Sequence, residues 1–274
     1  VSLSAGKRPF REAVAAAREA GFASLEVEIG WQGESALSGG EEPFRSAREV
    51  AGEAGLAIAT VASSLWWDRP LSAADPAGRQ AAGELAVALL ERARWLGARV
   101  LAVMPGMVSH FQWPARRLRP YAEALAASSE ILAGLALEAE DRGVVLAVEN
   151  APNGMLLSPL EMREFIDRLH TPWVAACLDV SEAARLGFPE DWIEALGGRI
   201  AAVRLSDRPA DAGPAGGLPG WQDRAASRPA VTAALAGLGY DGPVIATGWR
   251  DPVEASRELD RLIEAAGGGV EDGS

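Results

Sequence analysis

A rhythm of helix, glycine and short apolar strand recurs along the 274 residues of this chain and limits its fold more than any other feature. A glycine directly after a helix relieves the strain of the left-handed backbone at that position. Such glycines end the predicted helices at Gly21, Gly55, Gly97, Gly143, Gly197 with Gly198, and Gly239. Together with two further apolar runs, the predicted strands number eight, over residues 1–4, 24–29, 56–61, 99–104, 144–149, 173–179, 199–205 and 243–247.

The apolar runs lack a clean polar alternation, which is typical of parallel strands covered on both faces. Capping signals begin the helices between them at Asp75-Pro76, Ser158-Pro159 and Asp251-Pro252. Eight strand–helix units predict an α/β fold, a single (β/α)8 TIM barrel over residues 1–266 with a flexible C-terminal tail at 267–274. The alternative is an open doubly wound sheet, but the sequence has no G-x-G-x-x-G phosphate loop.

The composition excludes several kinds of chemistry. With 38 acidic against 26 basic residues, the chain does not suit a nucleic-acid backbone. One cysteine, two histidines and a single lysine near the start exclude a disulfide framework, a cysteine-rich zinc site and a Schiff-base lysine on a late strand. No apolar run approaches the roughly 20 residues of a membrane span. We therefore expect a cytoplasmic protein with a small-molecule substrate, no cofactor, and no nucleic-acid or membrane partner; a homodimer stays open.

Two of the predicted strands end in a carboxylate. They are the strands that end at Glu149 and Asp179. In a TIM barrel the active site forms at the C-terminal ends of the strands. A carboxylate that closes an apolar run is costly to bury unless it has a partner or a function. Strand alternation puts Ala147 on the face of Glu149 and Cys177 on the face of Asp179, so one register directs both carboxylates into the barrel mouth. The alternative is that each meets solvent or a nearby arginine.

Other polar and aromatic residues of these strand ends and loops are candidates for substrate binding. They are Glu26, Trp31, Trp66, Trp67, Trp113, Asn150, Glu182, Asp207, Trp221, Thr247, Trp249 and Arg250. Aromatic faces stack on the C–H surfaces of sugars and on planar rings, so the tryptophans predict a bulky, partly apolar ligand, although any one of them could instead anchor its loop. The segment 207–223, rich in Pro, Gly and Ala, predicts a mobile lid.

Motifs spread over nearly the whole chain resemble a known family. They are GFASLE at residues 21–26, LGARVL at 96–101 followed by PG at 105–106, GVVLAVEN at 143–150, LDV at 178–180 and GYDGP at 239–243. In this order and at these spacings they resemble the xylose isomerase-like TIM barrels, a group of sugar isomerases, epimerases and dehydratases that also includes endonuclease IV. The resemblance implies the same barrel fold and an isomerase-like or epimerase-like activity.

The resemblance also implies a divalent-metal site, from which this chain departs. Family members typically hold the metal with Glu, Asp, His and Glu from the fifth to the eighth strand. Glu149 and Asp179 match the first two positions and would be the remaining ligands of a metal. The third and fourth positions fall on Arg204 and Thr247, and a histidine often found after the sixth strand is Glu182 here.

We therefore predict a metal-free site in which Arg204 replaces the ion. A guanidinium has five donors and keeps its proton, so Arg204 can hold Glu149 and Asp179 without a metal. The alternative is a shifted register in which Arg204 faces outward. Glu149 is the predicted general base or acid, with Asp179 and Arg204 tuning its protonation and His110 reaching in from its loop.

Three functions stay open. The first is a metal-independent isomerase or epimerase that acts by proton transfer on a carbonyl or sugar-like substrate, which the tryptophans allow to be bulky. The second is a lyase, dehydratase or cyclase of a specialised natural-product pathway, acting on a larger substrate that stacks on aromatic rings. The third is a barrel that binds a ligand or a partner protein without turning it over.

Overall fold

Eight parallel strands close into a barrel in the computed structural model, which describes residues 2–4, 9–206, 228–249 and 251–267. The barrel strands are β1 (Ser2–Ser4), β2 (Ser24–Glu28), β3 (Ala57–Ala62), β4 (Val100–Val103), β7 (Val145–Glu149), β8 (Val174–Asp179), β9 (Ile200–Ser206) and β10 (Val244–Thr247). Neighbours in this order pair in parallel, and β10 pairs with β1 to close the ring. The predicted TIM barrel is confirmed, and every predicted strand agrees with the structure to within one residue at each end.

Helices cover the outside of the barrel, and three of them begin at the prolines of the predicted capping signals, Pro76, Pro159 and Pro252. They are α1 (Phe10–Glu19), α2 (Glu41–Glu53), α3 (Pro76–Leu96), α4 (Tyr121–Arg142), α5 (Pro159–Asp167), α6 (Val180–Leu186), α7 (Pro189–Leu196), α8 (Arg228–Gly237) and α9 (Pro252–Gly267). The Asp75 side chain accepts a hydrogen bond from the Gly78 N–H at 2.8 Å and caps α3. Gly143 ends α4 at φ +65°, a left-handed conformation that favours glycine.

The core consists of two apolar layers. The outer layer lies between strands and helices and contains side chains such as Leu25, Leu146 and Leu178. The inner layer fills the barrel with Val100, Ala102, Ala147, Cys177, Ala202 and Ile245. Because strand side chains alternate between the two faces, the residues two positions after Ala147, Cys177, Ala202 and Ile245 also point into the barrel, one level nearer the C-terminal mouth. Most of the inner residues are small, which leaves room for longer side chains above them.

An antiparallel hairpin that the sequence analysis did not predict follows β4. It consists of β5 (Ser109–His110) and β6 (Trp113–Arg117). The backbone N–H groups of Val108 and Ser109 donate to the Asn153 carbonyl at 2.8 and 3.0 Å, which fixes the hairpin to the loop after β7. The hairpin therefore stands at the C-terminal end of the barrel, beside the strand that carries Glu149.

Some predictions fall outside the described residues. The proposed lid at 207–223 and residues 268–274 of the tail are among them, whereas Gly267, the first residue of the predicted tail, is still part of α9. Within the described ranges, none of the helices is long and apolar enough to cross a membrane.

Candidate active site

Arg204 lies at the centre of the barrel mouth, between two glutamates. Alternation along β9 puts it on the same inward face as Ala202, so the outward alternative is wrong. Its Nη2 atom donates to Glu26 Oε2 at 2.7 Å, and its Nε atom lies 3.2 Å from Glu149 Oε1. The second contact is an ion pair without hydrogen-bond alignment, because Nε is buried and has no hydrogen-bond partner among the described residues.

The charges of this cluster stabilise one another. The Arg204 side chain is only 13% exposed, and burial alone would lower its pKa. The charges of Glu149 and Glu26 more than offset that effect, so that the pKa of Arg204 is well above its ordinary value. The guanidinium is therefore a permanent cation in the position where the resemblance places a metal-ligating histidine.

Glu26 is the most buried carboxylate of the cluster. It ends no strand but lies inside β2, where a register shift between Leu25 and Glu26 brings it opposite Thr60 of β3. The Thr60 hydroxyl donates to Glu26 Oε2 at 3.1 Å, so this oxygen accepts from both Thr60 and Arg204. Burial raises the pKa of Glu26 above its ordinary value, although Arg204 lowers it in part. Thr60 is a site residue that the sequence analysis missed, and a polar residue inside an apolar strand was the available signal.

Asp179 is fixed by backbone groups and not by Arg204. Its Oδ1 atom accepts from the Ser181 and Glu182 N–H groups at 2.8 and 3.0 Å and so caps α6. Its own N–H and C=O pair with the Asn150 side chain. The predicted Arg204–Asp179 pair is therefore corrected: among the described residues the carboxylates paired with Arg204 are Glu149 and Glu26, because Asp179 is drawn to the amides of the α6 N-terminus.

The protonation of Asp179 is set by its surroundings. Burial raises the pKa of the Asp179 carboxyl to about 7, and the charge of Glu149 adds to this effect. The Glu182 N–H bond lowers the pKa in part. Asp179 therefore exchanges its proton near neutral pH, which is the range in which general acids and bases are most useful.

Two more predicted residues lie near these carboxylates. Glu182 is in the first turn of α6, and its Oε2 atom lies 3.7 Å from Arg185 Nε. Burial raises the pKa of Glu182. Thr247 ends β10, and its hydroxyl donates to the Leu205 carbonyl at 3.4 Å. Asp207, Trp221 and Arg250 lie outside the described residues.

The structure places His110 among aromatic rings. Its ring centroid lies 4.6 Å from that of Phe111, 4.9 Å from that of Trp113 and 5.0 Å from that of Trp67. His110 Nδ1 accepts from the Gln112 N–H at 3.1 Å, so a neutral ring carries its proton on Nε2. Among the described hydrogen bonds and ion pairs, none joins His110 to Glu149. The predicted approach of His110 to the carboxylates is thus not seen.

The predicted tryptophans that the structure describes differ in their exposure. Trp113 is 55% exposed and Trp31 44%, and the Trp31 indole donates to Asp68 Oδ2 at 2.8 Å. Trp66 is only 2% exposed, and its indole donates to the Ala102 carbonyl at 3.0 Å, so it belongs to the core and not to the rim. Trp249 is half-buried, with the Arg228 guanidinium 5.1 Å from its ring. We refer to Trp31, Trp67, His110, Phe111 and Trp113 as the aromatic rim.

The donor set of the mouth does not fit a divalent metal ion. A guanidinium has donors only and cannot ligate a metal, and that of Arg204 is instead paired with Glu149. One oxygen of Asp179 is already occupied by two backbone amides. Within the part of the chain that the structure describes, no group of three or more His, Cys, Asp and Glu side chains is arranged to hold a metal.

Comparisons with known proteins agree with this fold. The family model described as xylose isomerase-like TIM barrel matches residues 14–266. D-Psicose 3-epimerase from Clostridium cellulolyticum H10 is 17% identical, with 99% of each chain covered and a TM-score of 0.76. A D-tagatose 3-epimerase-like protein is 21% identical over 98% of this chain and 99% of the other, with a TM-score of 0.77. The 3-keto-D-glucoside 4-epimerase of E. coli is 18% identical over 95% and 97%, with a TM-score of 0.74. No curated protein matches the sequence.

Proposed function

The chain belongs to the xylose isomerase-like TIM barrel family, and we propose that it is a metal-independent isomerase or epimerase of a sugar-like carbonyl compound. The observation that carries the proposal is the Arg204 guanidinium, which lies between Glu26 and Glu149 at the position where the resemblance implies a metal-ligating histidine. The structural neighbours share the fold at 17% to 21% identity and include sugar epimerases, which is why we propose this reaction class.

Glu149 acts as the general base in this proposal. It ends β7 at the mouth and its side chain is 21% exposed, whereas that of Glu26 is 1% exposed. Glu149 takes a proton from the carbon next to the substrate carbonyl, and the C–H electron pair forms a carbon–carbon double bond. Arg204 keeps an adjacent positive charge throughout, which limits the build-up of negative charge in the site.

Asp179 supplies the second proton transfer. As the C–H bond breaks, the carbonyl electron pair moves to oxygen, and the protonated Asp179 carboxyl donates its proton there to give an enediol. In an isomerisation, Glu149 returns its proton to the neighbouring carbon, while the Asp179 carboxylate takes the proton of the other enediol hydroxyl as the new carbonyl forms. In an epimerisation, water protonates the opposite face of the same carbon, Glu149 gives its proton to the resulting hydroxide, and Asp179 takes back the enediol proton as the carbonyl re-forms. Both outcomes balance without an oxidant or reductant, and the pKa of about 7 keeps both forms of Asp179 available at neutral pH.

The aromatic rim supplies a stacking surface for the substrate. The hairpin that carries Trp113 is fixed to the loop after β7, so its aromatic rings stand at the same end of the barrel as Glu149. The exposed faces of Trp113 and Trp31 suit the apolar face of a sugar ring or another flat group.

A lyase or dehydratase is the second candidate. The exposed tryptophans of the aromatic rim favour it, because they suit a substrate larger than a free monosaccharide. In that reaction, proton removal by Glu149 gives an enolate, whose electron pair forms the new double bond as the carbonyl re-forms and the hydroxyl of the next carbon leaves. Asp179 then gives its proton to the leaving hydroxyl, which departs as water. The product would have lost water and gained a double bond.

Exchange of carbon-bound hydrogen in heavy water tests the proposal. The protein is dialysed against a chelator, its metal content is measured, and it is incubated in D2O with D-tagatose, D-fructose and L-ribulose while NMR follows deuterium at the carbons next to the carbonyl. We expect incorporation that persists after dialysis and is lost in Glu149→Gln. The matched control is Glu164→Gln, which changes an exposed glutamate of α5 that pairs with Arg168 and should leave exchange at the wild-type rate.

Each of the other results contradicts the proposal in a different way. About one tightly held divalent ion per chain, with exchange lost on its removal, contradicts metal independence. An unsaturated, dehydrated product favours the lyase. An absence of exchange on every ketose contradicts the enzyme and favours a ligand-binding barrel.

A further inference from the structure

The Asn150 side chain forms a closed pair of hydrogen bonds with the backbone of Asp179. Asn150 Nδ2 donates to the Asp179 carbonyl at 2.9 Å, and Asn150 Oδ1 accepts from the Asp179 N–H at 2.7 Å. Both distances are typical of well-formed hydrogen bonds. The amide thus occupies both backbone groups of one residue at once, so rotation of either partner would break both bonds.

This pair replaces a missing rung of the barrel. The pairing of β7 with β8 ends where Glu149 lies opposite Cys177, two residues before Asp179. Asn150 directly follows Glu149, and its side chain continues the pairing one step beyond the last backbone rung. The main chain at Asn150, directly after Glu149, is therefore joined to the main chain of Asp179 through the Asn150 side chain.

Asn150 is too buried to serve mainly as a substrate contact. The residue is 2% exposed, so its polar atoms must find partners inside the protein. Both side-chain polar atoms use Asp179 for this purpose. The sequence predicted that Asn150 binds substrate. Its burial agrees better with a role in shaping the site.

The carboxylate of Asp179 is oriented as well as its backbone. Its Oδ1 atom accepts from two α6 amides, while among the described hydrogen bonds none involves Oδ2. The asparagine from one side and the helix from the other therefore leave one oxygen of Asp179 for a reacting group. Position and orientation of this carboxyl are both set before a substrate arrives, as preorganised catalysis requires.

We propose that Asn150 is a positioning residue that holds Asp179 at a fixed separation from Glu149. The inference rests on the proposed function, in which these two carboxyl groups transfer protons to and from one substrate. A side-chain displacement of about 1 Å can lower a rate by about 100-fold. Removal of the amide should therefore act on the rate of proton transfer and not on substrate affinity.

Asn150→Ala tests this role, with Asn153→Ala as the matched control. Asn153 is a fully buried asparagine of the same loop, but its side chain bonds to the Gly106 carbonyl and the Met155 N–H. Both variants lose two buried hydrogen bonds, which makes a similar loss of stability the expectation for each. Asn150→Ser, which keeps a hydroxyl in place of the amide, replaces the alanine variant if that one does not fold.

The decisive measurement is the ratio of deuterium exchange to net product formation on D-tagatose. A protein that is merely less stable has fewer active molecules, so both rates fall by the same factor and their ratio is unchanged. We expect Asn150→Ala to lower kcat by about 10-fold or more, to leave KM near the wild-type value and to change this ratio, because misplaced groups partition the proton differently. Asn153→Ala should keep the wild-type ratio.

One set of results would contradict the positioning role of Asn150, and a different set would contradict the proposed function. If the wild-type protein exchanges hydrogen and Asn150→Ala keeps its ratio and kcat, the positioning role is overturned while the enzyme stands. If the wild-type protein exchanges nothing, the proposed function fails, and a crystal structure of Asn150→Ala decides the remaining question. An Asp179 backbone that stays in place relative to Glu149 overturns the inference, and a displaced one supports the fixing of Asp179 by Asn150.

Discussion

The Arg204 Nη2 atom lies 2.7 Å from Glu26 Oε2, a contact between residues that are 178 positions apart in the chain. Arg204 comes from β9 and Glu26 from β2, which are separated in the ring by β10 and β1, so the contact crosses the barrel interior. Glu149 of β7 holds the guanidinium from a third strand. The cation is therefore secured from two sides before any substrate is present.

Replacement of Glu26 by glutamine should destabilise the fold. The amide keeps the shape of the side chain but removes the negative charge that faces Arg204, in a position where water does not compensate. Hydrogen bonds to charged groups contribute about 1.5–3 kcal/mol, so we expect Glu26→Gln to lower the free energy of unfolding by about 2 kcal/mol. Urea titration measures this change. Glu28→Gln, at the end of the same strand, serves as the control, and an equal loss there would contradict the special role of the Glu26 pair.

Removal of the guanidinium should be more severe. Arg204→Ala leaves two carboxylates in the barrel mouth without their cation, and breaking a buried pair in this way costs about 3–5 kcal/mol. Because burial and the charge of Glu149 raise the pKa of Glu26, the loss should be smaller at acidic pH, where Glu26 takes up a proton. Urea titrations of Arg204→Ala and the wild-type protein at two pH values compare the losses. A loss that does not depend on pH would indicate that Arg204 acts through packing alone.

The parts of the site that could be predicted are those that follow from strand register. Glu149, Asp179 and Arg204 stand two residues after the inner-layer residues Ala147, Cys177 and Ala202, so a correct strand assignment was sufficient to direct them inward. The fold was predictable because each strand is a short apolar run, and for six of the eight strands a glycine separates this run from the preceding helix.

Contacts across the barrel could not be predicted in this way. The pairing of Glu26 with Arg204 depends on a register shift beside Leu25 and on the closure of the ring, neither of which leaves a local signal in the sequence. The hairpin after β4 was missed because Pro114, Arg116 and Arg117 give it no apolar alternation. Hydrogen bonds to the loop after β7 hold the hairpin in place, and the residues that form them are also distant in sequence.

The raised pKa of Asp179 predicts a specific dependence of stability on pH. Its value of about 7 in the folded protein exceeds its ordinary value of 3.8, so between these values the folded state binds the proton and the unfolded state does not. This contribution to stability is fully present below the ordinary value and is lost as the pH rises through about 7. Asp179→Asn cannot titrate, yet its amide oxygen can still cap α6.

A comparison of the wild-type protein with Asp179→Asn tests whether stability falls with rising pH as predicted. We expect the variant to gain stability relative to the wild-type protein between about pH 4 and about pH 8, because only the wild type loses a bound proton over this interval. Thermal unfolding at a series of pH values measures the difference. Parallel curves for the two proteins would show that the Asp179 carboxyl has an ordinary pKa.

Replacement of Trp113 and replacement of Trp66 should have different effects on stability, because Trp113 belongs to the aromatic rim and Trp66 to the core. Trp113 is more than half exposed, so Trp113→Ala should change the free energy of unfolding by no more than about 0.5 kcal/mol. Trp66 is buried and bonded to the Ala102 carbonyl, so Trp66→Ala should lower it by about 3–5 kcal/mol. If the aromatic rim binds substrate, Trp113→Ala should raise KM for D-tagatose and leave kcat nearly unchanged, because it removes stacking that ground state and transition state share. An unchanged KM in a stably folded Trp113→Ala protein would remove this tryptophan from the substrate site.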